Sequence, residues 1–193
     1  YEGYDVSATA DFSDLPFIGG DLRVQIQWTH LVENTTVDAT GISDDYVGQC
    51  YDFGESCFNR DRSTGLFTWS SGDWTVNWVT RFMSGISAPQ DALNYFDVAN
   101  GGANPYTGAA FPAGVLEDVM DTYSIEDFYY HNASVSYQYD DNTRVNVAIT
   151  NVFDEEAPYY KSFFGFVDPQ INTPQNTYDI VGQYVTASVS YSF

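Results

Sequence analysis

The sequence predicts an all-β protein, a segment of an antiparallel transmembrane β-barrel with about seven strands. Three observations predict it. Long stretches alternate strictly between apolar and polar residues, aromatic residues gather toward the ends of the apolar stripes, and the connections alternate between short and long.

The first stretch sets Tyr4, Val6, Ala8, Ala10 and Phe12 against Asp5, Ser7, Thr9 and Asp11, the period of a strand with one wet face. The second sets Leu22, Val24, Ile26 and Trp28 against Arg23, Gln25, Gln27 and Thr29, and Pro16, Gly19 and Gly20 between the two supply a turn. Gly65 to Ser70 and Trp74 to Ser84 flank the tight turn Ser71-Gly72-Asp73, with Trp74, Val76, Trp78, Thr80 and Phe82 on one face. Ile125 to Tyr139 places Tyr129, His131, Ala133, Val135 and Tyr137 opposite Tyr130, Asn132, Ser134, Ser136 and Gln138. Asp140-Asp141-Asn142-Thr143 then turns into Arg144 to Phe153, whose apolar face holds Val145, Val147 and Ile149. A final strand, Thr177 to Phe193, alternates Val185, Ala187, Val189, Tyr191 and Phe193 against Tyr184, Thr186, Ser188, Ser190 and Ser192.

Strands of roughly 9 to 15 residues exceed the soluble mode of about 5 to 6 and reach across a bilayer when tilted. Tyr129 and Tyr137 bracket Ala133 and Val135, the pattern of aromatic girdles around an apolar band. Val76, Trp78, Ala133, Val135, Val147, Ile149, Val185, Ala187 and Val189 are therefore expected to face lipid, and Asn77, Ser134, Ser136, Asn146 and Ser188 the lumen. The connections are short after the first strand, at Ser71 to Asp73 and at Asp140 to Thr143, and long at about Glu33 to Asp61, Gly85 to Ser124 and Asp154 to Asn176. Outer-membrane barrels keep short turns on the periplasmic side and long loops outside, and here the acidic residues concentrate in the long loops. An odd strand count leaves two open edges in lipid, so the remaining strands are expected from another chain or from an upstream part of the same polypeptide.

Composition narrows the partners. Of 193 residues only 6 are Lys or Arg, and the formal net charge is -21. Nucleic acid is disfavoured, because binding it needs a cationic surface, and an anionic membrane surface is disfavoured on the same ground. No window carries the roughly 18 apolar residues of a spanning helix. The opening Tyr1-Glu2-Gly3-Tyr4 has no basic or apolar leader region, so no signal peptide is expected in it, and the chain reads as mature or as a fragment.

The cysteines, Cys50 and Cys57, lie close together in a polar, acidic stretch, and the expected arrangement is a local disulfide in an external loop and an oxidising compartment. Two free thiols are the alternative. A zinc site would need further ligands, and neither His30 nor His131 is near in sequence.

Asn151-Val152-Phe153-Asp154-Glu155-Glu156-Ala157-Pro158-Tyr159-Tyr160, then Tyr178-Asp179-Ile180-Val181-Gly182-Gln183-Tyr184 and a strand ending in Phe193, closely resemble the C-terminus of TonB-dependent receptors. In that family the Asn-Val-Phe-Asp sequence closes the penultimate strand, the aromatic-Asp-x-x-Gly sequence opens the last, and a terminal aromatic ends it. Gln183 stands where Arg is commoner. Gly48-Gln49-Cys50 through Cys57-Phe58-Asn59 and the hairpin bearing Trp69, Trp74 and Trp78 resemble the cysteine loop and Trp hairpin of many proteobacterial members.

The resemblance covers nearly the whole chain. It implies that residues 1–193 are the C-terminal part of a barrel of about 22 strands, with the plug domain and TonB-contacting segment of the family not among them. It implies residence in the outer membrane of a Gram-negative bacterium and energised uptake of a scarce nutrient, with TonB acting through the plug. It also implies that Val189, Tyr191 and Phe193 form the signal read by the barrel-assembly machinery. A passive porin would share the girdles without the Asn-Val-Phe-Asp landmark, and a soluble β-sandwich would hide the apolar faces inside.

No phosphate-cradling loop or nucleophile-base constellation is present, so neither catalysis nor a cofactor is expected. His30 and His131 read as interfacial side chains, and Asp44-Asp45 and Glu117-Asp118 as solvated loop charge rather than calcium ligands. Tyr95, Phe96 and Tyr106 in one long loop, and Tyr159, Tyr160, Phe163 and Phe164 in another, are candidates to stack on a sugar ring or an aromatic iron chelate, or to pack loops together or onto a plug. Because the long loops hold few basic residues, neutral ligands such as oligosaccharides are favoured over an anionic siderophore.

Overall fold

A computed structural model of the chain describes residues 1–37, 41, 43–50, 57–86, 124–159, 173–174 and 177–193. Seven strands form one antiparallel sheet in the order β1-β2-β5-β6-β7-β8-β9. They are β1 (Glu2–Phe12), β2 (Asp21–Glu33), β5 (Asp61–Ser71), β6 (Trp74–Met83), β7 (Phe128–Gln138), β8 (Thr143–Thr150) and β9 (Tyr184–Tyr191), and a small hairpin of β3 (Thr35–Val37) and β4 (Ser43–Asp45) stands apart. The strands of the sheet lie side by side in chain order, with the β3–β4 hairpin inserted in the connection between β2 and β5. Among the described residues β1 pairs only with β2 and β9 only with β8, so each ends the sheet with an open edge.

Register decides which residues share a face. Val24, Phe67, Trp78, Ala133, Ile149 and Val185 lie directly opposite one another in succession, and Leu22, Trp69, Val76, Val135, Val147 and Ala187 form the adjacent row. The set expected to face lipid thus occupies one face, and no layer of described residues covers it. Phe67 on β5, Val135 on β7, Val147 on β8 and Val185 on β9 are all exposed, which a water-facing sheet would not tolerate across its width. The opposite face carries polar ladders. The Thr68 hydroxyl donates to Asn77 Oδ1 at 2.8 Å, Asn77 Nδ2 donates to Ser134 Oγ at 3.3 Å, and the Ser136 hydroxyl donates to Asn146 Oδ1 at 2.8 Å.

Aromatic rows close the apolar face at both ends. Toward the long connections stand Tyr4 stacked on His30 at 5.0 Å, Phe82 against Tyr129 at 5.0 Å, and His131 against Phe153 at 5.1 Å. Toward the short turns stand Trp74 against Tyr137 at 4.5 Å and Tyr191 against Phe193 at 5.1 Å. Tyr4 to Phe12, like Tyr129 to Tyr137, spans about 26 Å along the strand, which an ordinary barrel tilt shortens to about 20 Å of height. Between the rows no strand residue of this face is ionisable.

The short turns follow their residues. Ser71 pairs with Trp74 across Gly72-Asp73, with a positive φ at Gly72 alone, the arrangement of a type II′ turn. Between β7 and β8 the Asp140 carboxylate accepts the N–H groups of Asn142 and Thr143 at 2.9 and 2.8 Å, which holds its pKa below the usual carboxylate range.

Several boundaries differ from the sequence reading. β9 begins at Tyr184 rather than Thr177, because Tyr178 turns inward and its N–H bonds to the Pro174 carbonyl instead of a neighbouring strand. β8 ends at Thr150 rather than Phe153, because Asn151 and Asp154 take left-handed φ values of 54° and 53°. The strands of the main sheet run from 8 to 13 residues, shorter than the 9 to 15 expected. β7 begins at Phe128, with Ile125 set in an isolated bridge to Ile86, and the β3–β4 hairpin inside the first long connection was not foreseen.

Candidate functional site: the loop end of the polar face

Where the polar face meets the long connections, the chain has its one buried cluster among the described residues: Cys50, Cys57, Met83, Ile86, Ile125, Phe128, Tyr130 and Tyr178. Met83 and Phe128 are register partners on the polar face, so at this end that face turns apolar and is covered. The expected bridge between Cys50 and Cys57 is present. It joins two short extended segments tied by the Gly48 N–H donating to the Phe58 carbonyl at 2.7 Å and the Phe58 N–H to the Gln49 carbonyl at 2.9 Å.

The disulfide is fastened to the segment before β9. Cys57 N–H donates to Thr177 Oγ1 at 3.0 Å, and buried Asn59 donates from Nδ2 to the Ser84 carbonyl at 2.6 Å and to the Tyr178 hydroxyl at 3.3 Å. Arg62 reaches back from β5, with Nη2 donating to Asn59 Oδ1 at 3.1 Å and to the Cys57 carbonyl. Tyr178 is 1% exposed and meets Phe128 edge-on at 5.4 Å. Its burial pushes the phenol pKa up, partly opposed by the Asn59 hydrogen bond and the nearby Arg62 charge. A hollow of about 290 Å³ opens beside this cluster, lined by Thr29, Leu31, Cys57, Asn59, Arg62 and Thr177 among others.

The residues quoted for the family resemblance interlock beside the cluster. Asn151 is buried; its Nδ2 donates to the Glu155 carbonyl at 2.8 Å and its Oδ1 accepts the Glu155 N–H at 2.9 Å. Asp154 Oδ1 accepts the Gln183 N–H at 2.8 Å, and Gln183 Nε2 donates to the Val152 carbonyl at 2.8 Å. A Cβ on Gly182 would stand 3.0 Å from Asp154 Oδ1, so glycine leaves room for that carboxylate. These residues link the exit of β8 to the entry of β9. The Asn-Val-Phe-Asp stretch follows directly on the last residue of β8, and Gly182-Gln183 directly precede β9.

Charge is sorted by face. Arg23, Arg62, Arg81 and Arg144 all carry the register of the polar face, paired with Thr68, Thr29, Thr64 and Gln138 respectively. Arg62 pairs with Met83 and Arg81 with Thr64, so these two arginines are diagonal neighbours on adjacent strands, about 7–8 Å apart at the backbone. Arg81 lies over the Tyr130 ring at 5.7 Å, and neither arginine forms an ion pair with a described carboxylate. The sequence reading weighed only the loops and missed this; strand parity carried the signal.

Of the aromatic candidates only Tyr159 is described, and it is exposed; Tyr95, Phe96, Tyr106, Tyr160, Phe163 and Phe164 lie outside the described residues. His30 and His131 sit in the aromatic row, as expected. His30 Nδ1 is 2.7 Å from Asp61 Oδ1, which also accepts the Trp28 indole N–H at 3.0 Å, and His131 Nδ1 is 3.0 Å from the Thr80 hydroxyl. Val189 and Tyr191 lie on the exposed apolar face of β9, and exposed Phe193, two residues beyond, meets the Tyr191 ring edge-on.

No family model matches the chain, and no curated protein does. Solved structures do. Two mutant forms of the ferric enterobactin receptor PfeA from Pseudomonas aeruginosa each superpose with a TM-score of 0.55 and 14% identity, over 99% of this chain and 22% of the receptor. The fold is that of a stretch of β-barrel wall. The chain spans about a fifth of the receptor's length, and its sheet has the all-β antiparallel architecture with one apolar and one polar face. The ferric-catecholate import receptor Fiu from E. coli aligns over 97% of this chain at 11% identity and a TM-score of 0.38, too low to add to the comparison.

Proposed function

We propose that this chain is part of the barrel of an outer-membrane receptor of the TonB-dependent type, which takes up a scarce solute with energy delivered through TonB and a plug. The sorting of the two faces carries the reading: an uncovered apolar band between aromatic rows on one side, and on the other four arginines from a chain with 6 basic residues in all. A barrel wall has lipid on the first face and the plug and passing ligand on the second. The likeness to the ferric enterobactin receptor fold agrees with this.

The ligand class we propose is an anionic ferric chelate. Arg62 and Arg81 are exposed at the loop end of the inward face, where two planar guanidinium groups would meet an anionic chelate. An oligosaccharide, favoured from the loops alone, has no support from the described residues. We propose further that Val189, Tyr191 and Phe193 serve as the signal for barrel assembly.

The test uses the complete receptor in cells. Uptake of a radioiron-loaded catecholate should cease when TonB is removed, and replacing Arg62 and Arg81 together by alanine should raise the Kd about tenfold or more, or about 1.4 kcal/mol. Uptake that persists without TonB would overturn the receptor reading. Unchanged affinity in the double variant would overturn the ligand class alone.

A further inference from the structure

The turn between β1 and β2 carries an apolar tip that the transport reading does not use. Phe17 is 104% and Ile18 66% exposed, and exposed Pro16 precedes them, so the tip carries no charge. Phe17 holds φ at 82°, in the left-handed region that bulky side chains avoid. The rest of the turn keeps it there. Leu15 N–H donates to the Gly20 carbonyl and Gly19 N–H to the Leu15 carbonyl, both at 2.9 Å, while Asp14 N–H donates to the Asp21 carboxylate at 3.1 Å. Gly20 lies so close to β5 that a Cβ would fall 2.3 Å from the Ser70 carbonyl oxygen.

One bond sets the side toward which the turn leans. The Trp69 indole N–H donates to the Gly19 carbonyl at 2.9 Å, and Trp69 belongs to the apolar face, in register with Leu22 and Val76. The tip therefore lies on the side of the apolar face, beyond the strand ends that carry Phe12 and Trp69. The other turns at this end, Gly72-Asp73 and Asp140-Asp141-Asn142, are polar, so an apolar tip is a property of this hairpin rather than of the end as a whole.

We propose that the β1–β2 turn is an interfacial anchor, with Phe17 and Ile18 inserted among the headgroups of the phospholipid leaflet at the short-turn end. The inference rests on the apolar face meeting lipid. A strained, cross-braced turn that holds an uncharged Phe-Ile pair on the side of the apolar face gains by burial there, and it fixes the depth at which this hairpin sits.

The test places nitroxide labels, one at a time, at Ile18→Cys, Asp141→Cys and Val147→Cys in the complete receptor in phosphatidylethanolamine–phosphatidylglycerol vesicles, with the native disulfide intact. The ratio of collision with oxygen to collision with a water-soluble nickel chelate reports depth. Val147 should give the highest ratio, Asp141 a water-like one, and Ile18 a value several-fold above Asp141. An Ile18 ratio equal to that of Asp141, with Val147 in lipid, would overturn the anchor and leave the membrane reading standing. So would a label at Ile18 that is immobile and shielded from both reagents, which would mean that protein covers the turn. A water-like ratio at Val147 would overturn both.

Discussion

The Asp154 carboxylate accepts the backbone N–H of Gln183 at 2.8 Å, joining the turn that leaves β8 to the residue that enters β9. Asp154 is exposed and its φ is 53°, so its substitutions divide two effects. Asn keeps an acceptor and tolerates the backbone, Gly keeps only the backbone freedom, and Ala keeps neither. Stability should fall in that order, with Ala costing about 1 to 2 kcal/mol from the lost bond and the left-handed strain together. Urea midpoints of the assembled barrel check the order. Gly182→Ala should cost less in an Asp154→Gly background than alone, because the added methyl then has no carboxylate to displace.

Arginine placed on the two faces should separate lipid from lumen. At Val147 or Ala187 it should cost about 2 to 4 kcal/mol, whereas at Ser134 or Ser136 on the other face it should cost clearly less. Equal costs in vesicle unfolding would mean that the faces do not meet different media.

Cys50 and Cys57 should resist a membrane-impermeant thiol reagent until reduced. Replacing both by serine should cost the loop about 2 to 3 kcal/mol on the chain-entropy account. The looser exchange should appear at residues 177–178 as well as beside the cysteines, through the bonds from Cys57 to Thr177 and from Asn59 to Tyr178. Hydrogen exchange followed by mass spectrometry reads both places.

Asp140 gives a pH dependence with a definite sign. Its carboxylate is lowered in the folded state by the N–H groups of Asn142 and Thr143 and the Thr143 side chain. Its contribution is therefore fully present above the ordinary carboxylate pKa and is lost as pH falls through the lower, folded value. Asp140→Asn should flatten stability against pH in that acidic window alone, as comparison of urea midpoints between neutral and acidic buffers would show.

Polar replacement of Phe193 should lower the yield of assembled protein more than the stability of what does assemble. Heat-modifiable mobility of the complete receptor measures the first, and urea midpoints the second.

Most of the sheet was legible because a strand's faces alternate residue by residue, so the rows through Val147 and Ser134 follow from spacing alone. The interval 177–183 was misread because Tyr178, Ile180 and Gly182 mimic that period, while the contact that decides their fate, Tyr178 against Phe128, joins distant parts of the chain. The ends of β8 depended on left-handed backbone at Asn151 and Asp154, which residue type permits without requiring. Of the loop-end site, the disulfide could be read from its two cysteines. The fastening of Asn59 to Tyr178 could not, since those residues meet only after the sheet has formed.

Because the seven strands of the sheet lie side by side in their order along the chain, the wall is built of repeatable hairpin units. Adding or removing one such unit would change the circumference of the barrel while every remaining residue kept the medium it faces. Pore width and membrane fit are thereby separate variables for evolution, the first set by how many hairpins are present and the second by the spacing between aromatic rows within each.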